Sequence, residues 1–165
     1  MTKLDPAAIY LTLFSSDTVA QVYHWALFVS SVGTSGRLFW AAGKSTPSEK
    51  LFPPPGLVFE AQDYDLLGDP RLFLLLKLGG LGDRSRDELH TILGKVFIPR
   101  PDDEYGRSFD GRTWVIKAIM RLSAYGIIKS RRLERMEDEI QDIAARAFNV
   151  HEQGRGWTLS QFDCW

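Results

Sequence analysis

Among the residues able to move a proton, His24 has the most suggestive setting. It lies in Tyr23-His24-Trp25-Ala26-Leu27-Phe28-Val29, a β-branched and aromatic run with one imidazole in it. Strand periodicity puts His24, Ala26 and Phe28 on one face and Tyr23, Trp25, Leu27 and Val29 on the other. An imidazole at such a core-facing position can act as a general base, and covalent chemistry would also need a nucleophile within hydrogen-bond reach. The only thiol, Cys164, is next to last in the chain, while the helix start that would present a nucleophile reads Asp110-Gly111-Arg112-Thr113-Trp114. The ordinary alternative for His24 is a core histidine satisfied by a carbonyl or carboxylate.

The elements that must position these residues follow from periodicity. Residues 9–14 and 23–30 read as strands separated by the polar turn Ser15-Ser16-Asp17-Thr18. Gly33 and Gly36 punctuate toward a third strand over residues 37–42, so this part of the chain reads as an antiparallel meander. Pro47 and the Pro53-Pro54-Pro55 run cannot donate ladder hydrogen bonds and point to an extended loop over residues 44–56. Strand character resumes over residues 57–60 and 71–78. Ser85 with Glu88 forms a capping box, followed at helical spacing by Leu89, Ile92, Leu93, Val96 and Phe97, with Pro99 and Pro101 as stops. A second helix is expected over residues 112–125, with Gly126 at its end, and a third over residues 130–148, burying Leu133, Met136, Ile140, Ile143 and Ala147. The charge run beginning Arg131-Arg132 reads as its solvated side. The tail carries Trp157, Leu159, Phe162 and Trp165, too much apolar bulk for a free end, so it should dock on the body.

The expected architecture is α+β: an antiparallel sheet of about five strands packed against two or three helices, in a single domain spanning residues 1–165. At this length a chain buries roughly 70% of its unfolded surface without staples.

Composition excludes several classes of function. Lys+Arg at 20 against Asp+Glu at 21 gives a formal charge of -1, so no basic field exists to hold a phosphate backbone and nucleic acid is not an expected partner. One cysteine excludes an internal disulfide framework and a cysteine-built zinc site. His24, His90 and His151 are far apart in sequence and no carboxylates show ligand spacing, so neither a metal nor another cofactor is expected. The longest apolar run, residues 72–76, falls far short of the roughly 20 residues that cross a bilayer. No membrane span and a cytoplasmic location are expected.

The run from Tyr23 to Val29, followed by a hairpin into Leu38-Phe39-Trp40-Ala41-Ala42, resembles the first two strands of the circularly permuted papain-like superfamily, which includes lecithin:retinol acyltransferase and NlpC-type peptidases. In that superfamily the first strand carries the base, the second an orienting polar residue, and a later helix opens with the nucleophilic cysteine. The chain looks closest to small fungal proteins of unknown function in which Cys-Arg-Thr-Trp-(apolar)-Lys opens the helix. Here the corresponding segment is Gly111-Arg112-Thr113-Trp114-Val115-Ile116-Lys117. The resemblance implies that His24 occupies the place of the base, Trp40 the approximate place of the orienting residue and Gly111 that of the nucleophile. A glycine has no sulfur to form a thiolate, and Cys164 has no helix dipole behind it, so cysteine protease, amidase or acyltransferase activity is not expected.

Such a fold would still supply a cleft between sheet and helix. Its expected lining is His24 as the titratable group, Trp40 and Trp114 as walls, Gly111 vacating space, Asp110 and Arg112 at the helix start, and Tyr64 as a donor on the rim. For Asp110 the N-cap role is expected ahead of a catalytic one, and both tryptophans are equally expected in an ordinary core. A cleft of this kind suits an apolar small molecule with one or two oriented polar groups. Two functions follow. One is a non-covalent cyclase or isomerase of fungal specialised metabolism, which could extend to an intramolecular [4+2] closure. The other is an inactive papain-like pseudoenzyme serving as a ligand-binding or protein-interaction module.

Overall fold

The computed structural model describes residues 3–16, 23–43, 56–100, 105, 109–129 and 133–161. The turn residues Asp17 and Thr18, the Pro53-Pro54-Pro55 run, Ser130, Arg131, Arg132, Phe162, Cys164 and Trp165 lie outside the described residues.

Five strands precede the first α-helix: β1 (Ala8–Ser15), β2 (Tyr23–Ser30), β3 (Ser35–Gly43), β4 (Leu57–Asp65) and, after a 3-10 turn at Leu66–Gly68, β5 (Leu72–Gly80). Among the described residues the longer helices that follow are α1 (Arg86–Gly94), α2 (Gly111–Ala124) and α3 (Leu133–Glu152), and then comes β6 (Thr158–Gln161). All six strands belong to one sheet ordered β4-β3-β2-β1-β5-β6. The expected all-antiparallel, five-stranded sheet is corrected at its last strand. The tail docks as β6, parallel to β5 in the register Leu74↔Thr158 to Lys77↔Gln161, so the sheet is mixed. A chain that reaches the sheet edge from the C-terminus of α3 can run parallel to β5 because a whole helix lies in the crossover.

Local chemistry explains the helix boundaries. Ser85 and Glu88 form both halves of the capping box at the start of α1. This helix ends at Gly94, with Lys95 as its C-cap, so Pro99 does not stop it and Phe97, placed in the apolar stripe by spacing, lies beyond the helix and 72% exposed; Pro101 lies outside the described residues. Asp110 caps α2, its Oδ1 accepting from the Thr113 backbone N–H at 2.8 Å. At the other end Gly126 takes φ +70, the left-handed turn that glycine adopts without a Cβ penalty.

The two faces of the sheet bury separate clusters. Leu11, Leu13, Trp25, Leu27 and Phe39 face α1, α2 and α3, meeting Leu93, Trp114, Val115, Ile119 and Ile140. Tyr10, Phe14, Ala26, Phe28 and Leu75 face the other way, covered by Leu4, Leu66 and the half-buried Trp157. Within the helical layer α2 lies over β2 and β3, while α3 lies over β5. A bulge at Phe73 turns both Phe73 and Leu74 toward the helices. Tyr23 stacks there between Phe73 and Phe148, with centroids 4.8 and 5.3 Å away.

Gly36 fixes the hairpin between β2 and β3. A Cβ at this position would lie 2.2 Å from the Val29 carbonyl oxygen and 2.5 Å from the Phe28 ring. Only glycine lets the two strands close at that end.

Candidate active site

From Gly36 the two strands run side by side for four pairs only, Leu27↔Phe39 to Ser30↔Gly36. Beyond Leu27 they part. β2 stays on β1 as far as Ser15↔Tyr23, and β3 stays on β4 as far as Gly43↔Leu57. The sheet is therefore split between residues 23–26 and 40–43.

Backbone alternation shows what faces the split. The buried Thr12 hydroxyl donates to the Ala26 carbonyl at 3.1 Å, so Ala26 directs its backbone toward β1. Its neighbours Trp25 and Leu27 then direct theirs toward β3. Leu27 meets Phe39, whereas Trp25 and Ala41, the next residues in phase, face each other without ladder pairing. The start of α2 approaches from the helical side, and an ideal Cβ on Gly111 would stand 3.1 Å from the Ala41 carbonyl oxygen. Glycine permits this close approach, and any side chain would crowd a backbone atom.

The split opens into a cavity of about 660 Å³. His24, Trp40, Tyr64, Asp110, Gly111 and Arg112 all line it, so six of the seven expected site residues share one space. The seventh, Trp114, is corrected: it is 0% exposed, packs on Phe59 with centroids 5.6 Å apart, and is no part of the wall. The turn of α2 points it into the core between the sheet and the helices. His24 is corrected in a second way. Its strand face is as expected, but the position is exposed because β3 has left β2 by that level. Among the described residues its imidazole has no hydrogen-bond partner.

Asp110 spends its Oδ1 on the cap, accepting from both the Thr113 N–H and the Thr113 hydroxyl at 2.8 Å. Arg112 pairs with Glu137 of α3 at 3.3 Å, both side chains nearly half exposed. Tyr64 is half-buried, edge-on to Phe14 at 6.3 Å, and its hydroxyl donates to Asp69. Spent in this way, it is not the free rim donor expected from its position in the sequence.

Two residues that sequence reasoning passed over complete the site. Asp69 and Arg71 flank Pro70 in the turn before β5, and Arg71 reaches the cavity wall. The Asp69 carboxylate is buried, with a side chain 6% exposed. It accepts from Arg71 Nε at 3.0 Å, Arg71 Nη2 at 2.7 Å and the Arg71 backbone N–H at 2.9 Å, besides the Tyr64 hydroxyl. The signal was present in outline: an acid and an arginine two apart in a proline turn, five residues after a tyrosine.

The Arg71 fork holds the Asp69 carboxyl down at about 2, from an ordinary value of 3.8. Burial and Asp69 push the Tyr64 phenol up, so it stays neutral. The sign for stability follows from the depressed acid. The contribution is present above the unfolded value near 3.8 and is lost as pH falls toward 2. At roughly 1.4 kcal/mol per pH unit the shift is worth about 2 kcal/mol. Asp69→Asn is expected to lower stability at neutral pH by that amount and to flatten the acid limb between about pH 4 and 2. Urea denaturation across this range checks it, and an unchanged acid limb would show that the carboxylate is not coupled to folding.

Among the described residues, no group of three or more His, Cys, Asp or Glu is placed to hold a metal ion, and no helix is long and apolar enough to cross a membrane.

The fold and site thus define an α+β protein whose sheet opens into a small-molecule-sized cavity beside a helix start. The chain belongs to a family of unknown function (DUF6540), whose model matches residues 9–129, a span that covers five of the strands, α1 and α2. No curated protein and no solved structure matches it.

Proposed function

We propose that the protein is a non-covalent cyclase or isomerase of natural-product metabolism, acting on a largely apolar small molecule held in the split of the sheet. The observation that carries this reading is the composition of one cavity. At about 660 Å³ it has the size of a small-molecule site, and it combines the imidazole of His24, the aromatic wall of Trp40 and a glycine at the helix start. Those are the positions that the resemblance to permuted papain-like enzymes assigns to base, orienting residue and nucleophile, and at Gly111 the Ala41 carbonyl oxygen, 3.1 Å from an ideal Cβ, stands where a nucleophilic side chain would begin. A unimolecular closure needs no more than shape and a few donors. An intramolecular [4+2] reaction turns three π bonds into one new π and two σ bonds, and exchanges neither proton nor electron with the protein. Hydrogen bonding to a carbonyl on the substrate would draw electron density from the reacting alkene and lower the barrier.

The second reading is a binding module descended from such an enzyme. One observation favours it: no described group orients the His24 imidazole, whereas a general base usually has such a partner.

One experiment separates the two. The protein is incubated with a metabolite extract of its source organism, retained compounds are identified by native mass spectrometry, and the extract is followed in parallel for conversion. Retention with conversion is expected for the enzyme, and retention alone for the binder. Retention of nothing would remove both readings.

A further inference from the structure

Resting on the reading of the cavity as a small-molecule site, we infer that the ligand is gripped by a neutral carbonyl group, and that the donor is Arg71, clamped by Asp69 and Tyr64. A guanidinium has five N–H donors in a rigid fork. Asp69 engages Nε and one N–H of Nη2. The Tyr64 oxygen also interacts with the guanidinium, and the donors left over belong to a side chain that is 46% exposed and lies on the cavity wall. A bidentate pair on a buried carboxylate fixes the plane of the fork, and the Tyr64 hydroxyl fixes the carboxylate in turn. Donors held in this way lose little freedom when an acceptor arrives.

Charge selects the acceptor. Asp69 cancels the charge of Arg71, and Glu137 pairs with Arg112, the other described arginine on the wall. A ligand carboxylate at Arg71 would sit beside the Asp69 carboxylate and be repelled by it. A ketone or amide oxygen accepts the same N–H groups with no such opposition. The apolar residues Phe14, Trp40 and Leu38, lining the same cavity, suit the hydrocarbon body of the molecule. Arg71 is thus a binding residue, and Asp69 and Tyr64 are positioning residues.

Three probes of one shape test the inference by isothermal titration calorimetry: acetylnaphthalene (ketone), ethylnaphthalene (hydrocarbon) and naphthoate (carboxylate). The wild type is expected to bind the ketone about tenfold more tightly than the hydrocarbon, the scale of one hydrogen bond to a charged donor. Arg71→Met should abolish that preference. If the methionine variant does not fold, Arg71→Lys, which keeps the charge but not the fork, is expected to lose most of the preference. Asp69→Asn carries the distinctive signature, because it uncovers the charge of Arg71 and should shift selectivity toward naphthoate, which a purely structural role would not do. Equal binding of ketone and hydrocarbon by the wild type, or a ketone preference that survives loss of Arg71, overturns the inference while the cavity stands as a binding site. A wild-type preference for naphthoate overturns the neutral-carbonyl assignment. Failure to bind any of the three overturns the inference and the reading of the cavity together.

Discussion

Trp114→Ala is expected to lower the unfolding free energy by about 3–5 kcal/mol, the cost of deleting a fully buried aromatic side chain and leaving a cavity behind. Trp114 is 0% exposed, and it contacts the sheet through Phe59 and sits beside Val115 and Ala118, also fully buried. Its indole Nε1 is buried with no hydrogen-bond partner among the described residues. Trp114→Phe therefore removes an unpaired donor along with some volume, and its cost should be far smaller, about 1 kcal/mol. Trp40 provides the contrast. It is half-buried at the split, on the opposite sheet face, so Trp40→Ala should cost much less stability while enlarging the cavity and weakening apolar ligands. Urea denaturation of the three variants decides between these assignments. If Trp40→Ala proves as damaging as Trp114→Ala, the split is closed and packed, and the site described here does not exist.

That pair of tryptophans shows how far the sequence could be read. The strand run from Tyr23 to Ser30, the capping box at Ser85, the cap at Asp110 and the glycine end at Gly126 were legible because each depends on residues within a turn or a strand of one another. The resemblance supplied the places of His24, Trp40 and Gly111, the helix start those of Asp110 and Arg112, and all five line one cavity together with Tyr64. What was not legible depends on chain passing chain. Trp114 and Gly111 are three residues apart on α2, yet one faces the core and the other the cavity, and only the rotation of the helix over β2 and β3 sets which. The exposure of His24 follows from β3 parting company with β2 after Phe39, a non-local event that no period reports. β6 escaped detection because four residues with one large exposed side chain, Leu159, carry little pattern until β5 is there to receive them. Arg71 escaped because its meaning lies in a buried carboxylate and a cavity wall, whereas in sequence it is one more arginine at a turn.

His24→Ala, with His24→Phe as its bulkier companion, is expected to slow conversion of the substrate about 10²-fold or more, the usual loss when one positioned general base or hydrogen-bond donor is removed. The stability change should be small, within about 0.5 kcal/mol, because the residue is exposed and its ring supports no hydrogen bond among the described residues. This separation of effects is sharper than it would be for a histidine packed in the core. The exposure that makes His24 a weak structural element also leaves its imidazole accessible to a ligand entering the split. Turnover of the compound recovered from the extract, measured beside thermal melting and ligand affinity, checks each part. A variant that binds and converts as before but melts several degrees lower would make His24 a structural residue and leave the chemistry to Arg71 and the shape of the cavity. A variant that loses affinity in proportion to rate would point instead to uniform binding, as expected of the module rather than the enzyme. The catalytic assignment requires the third pattern, in which rate falls, affinity is nearly kept and the melting temperature does not move. Only an interaction that strengthens in the transition state produces it.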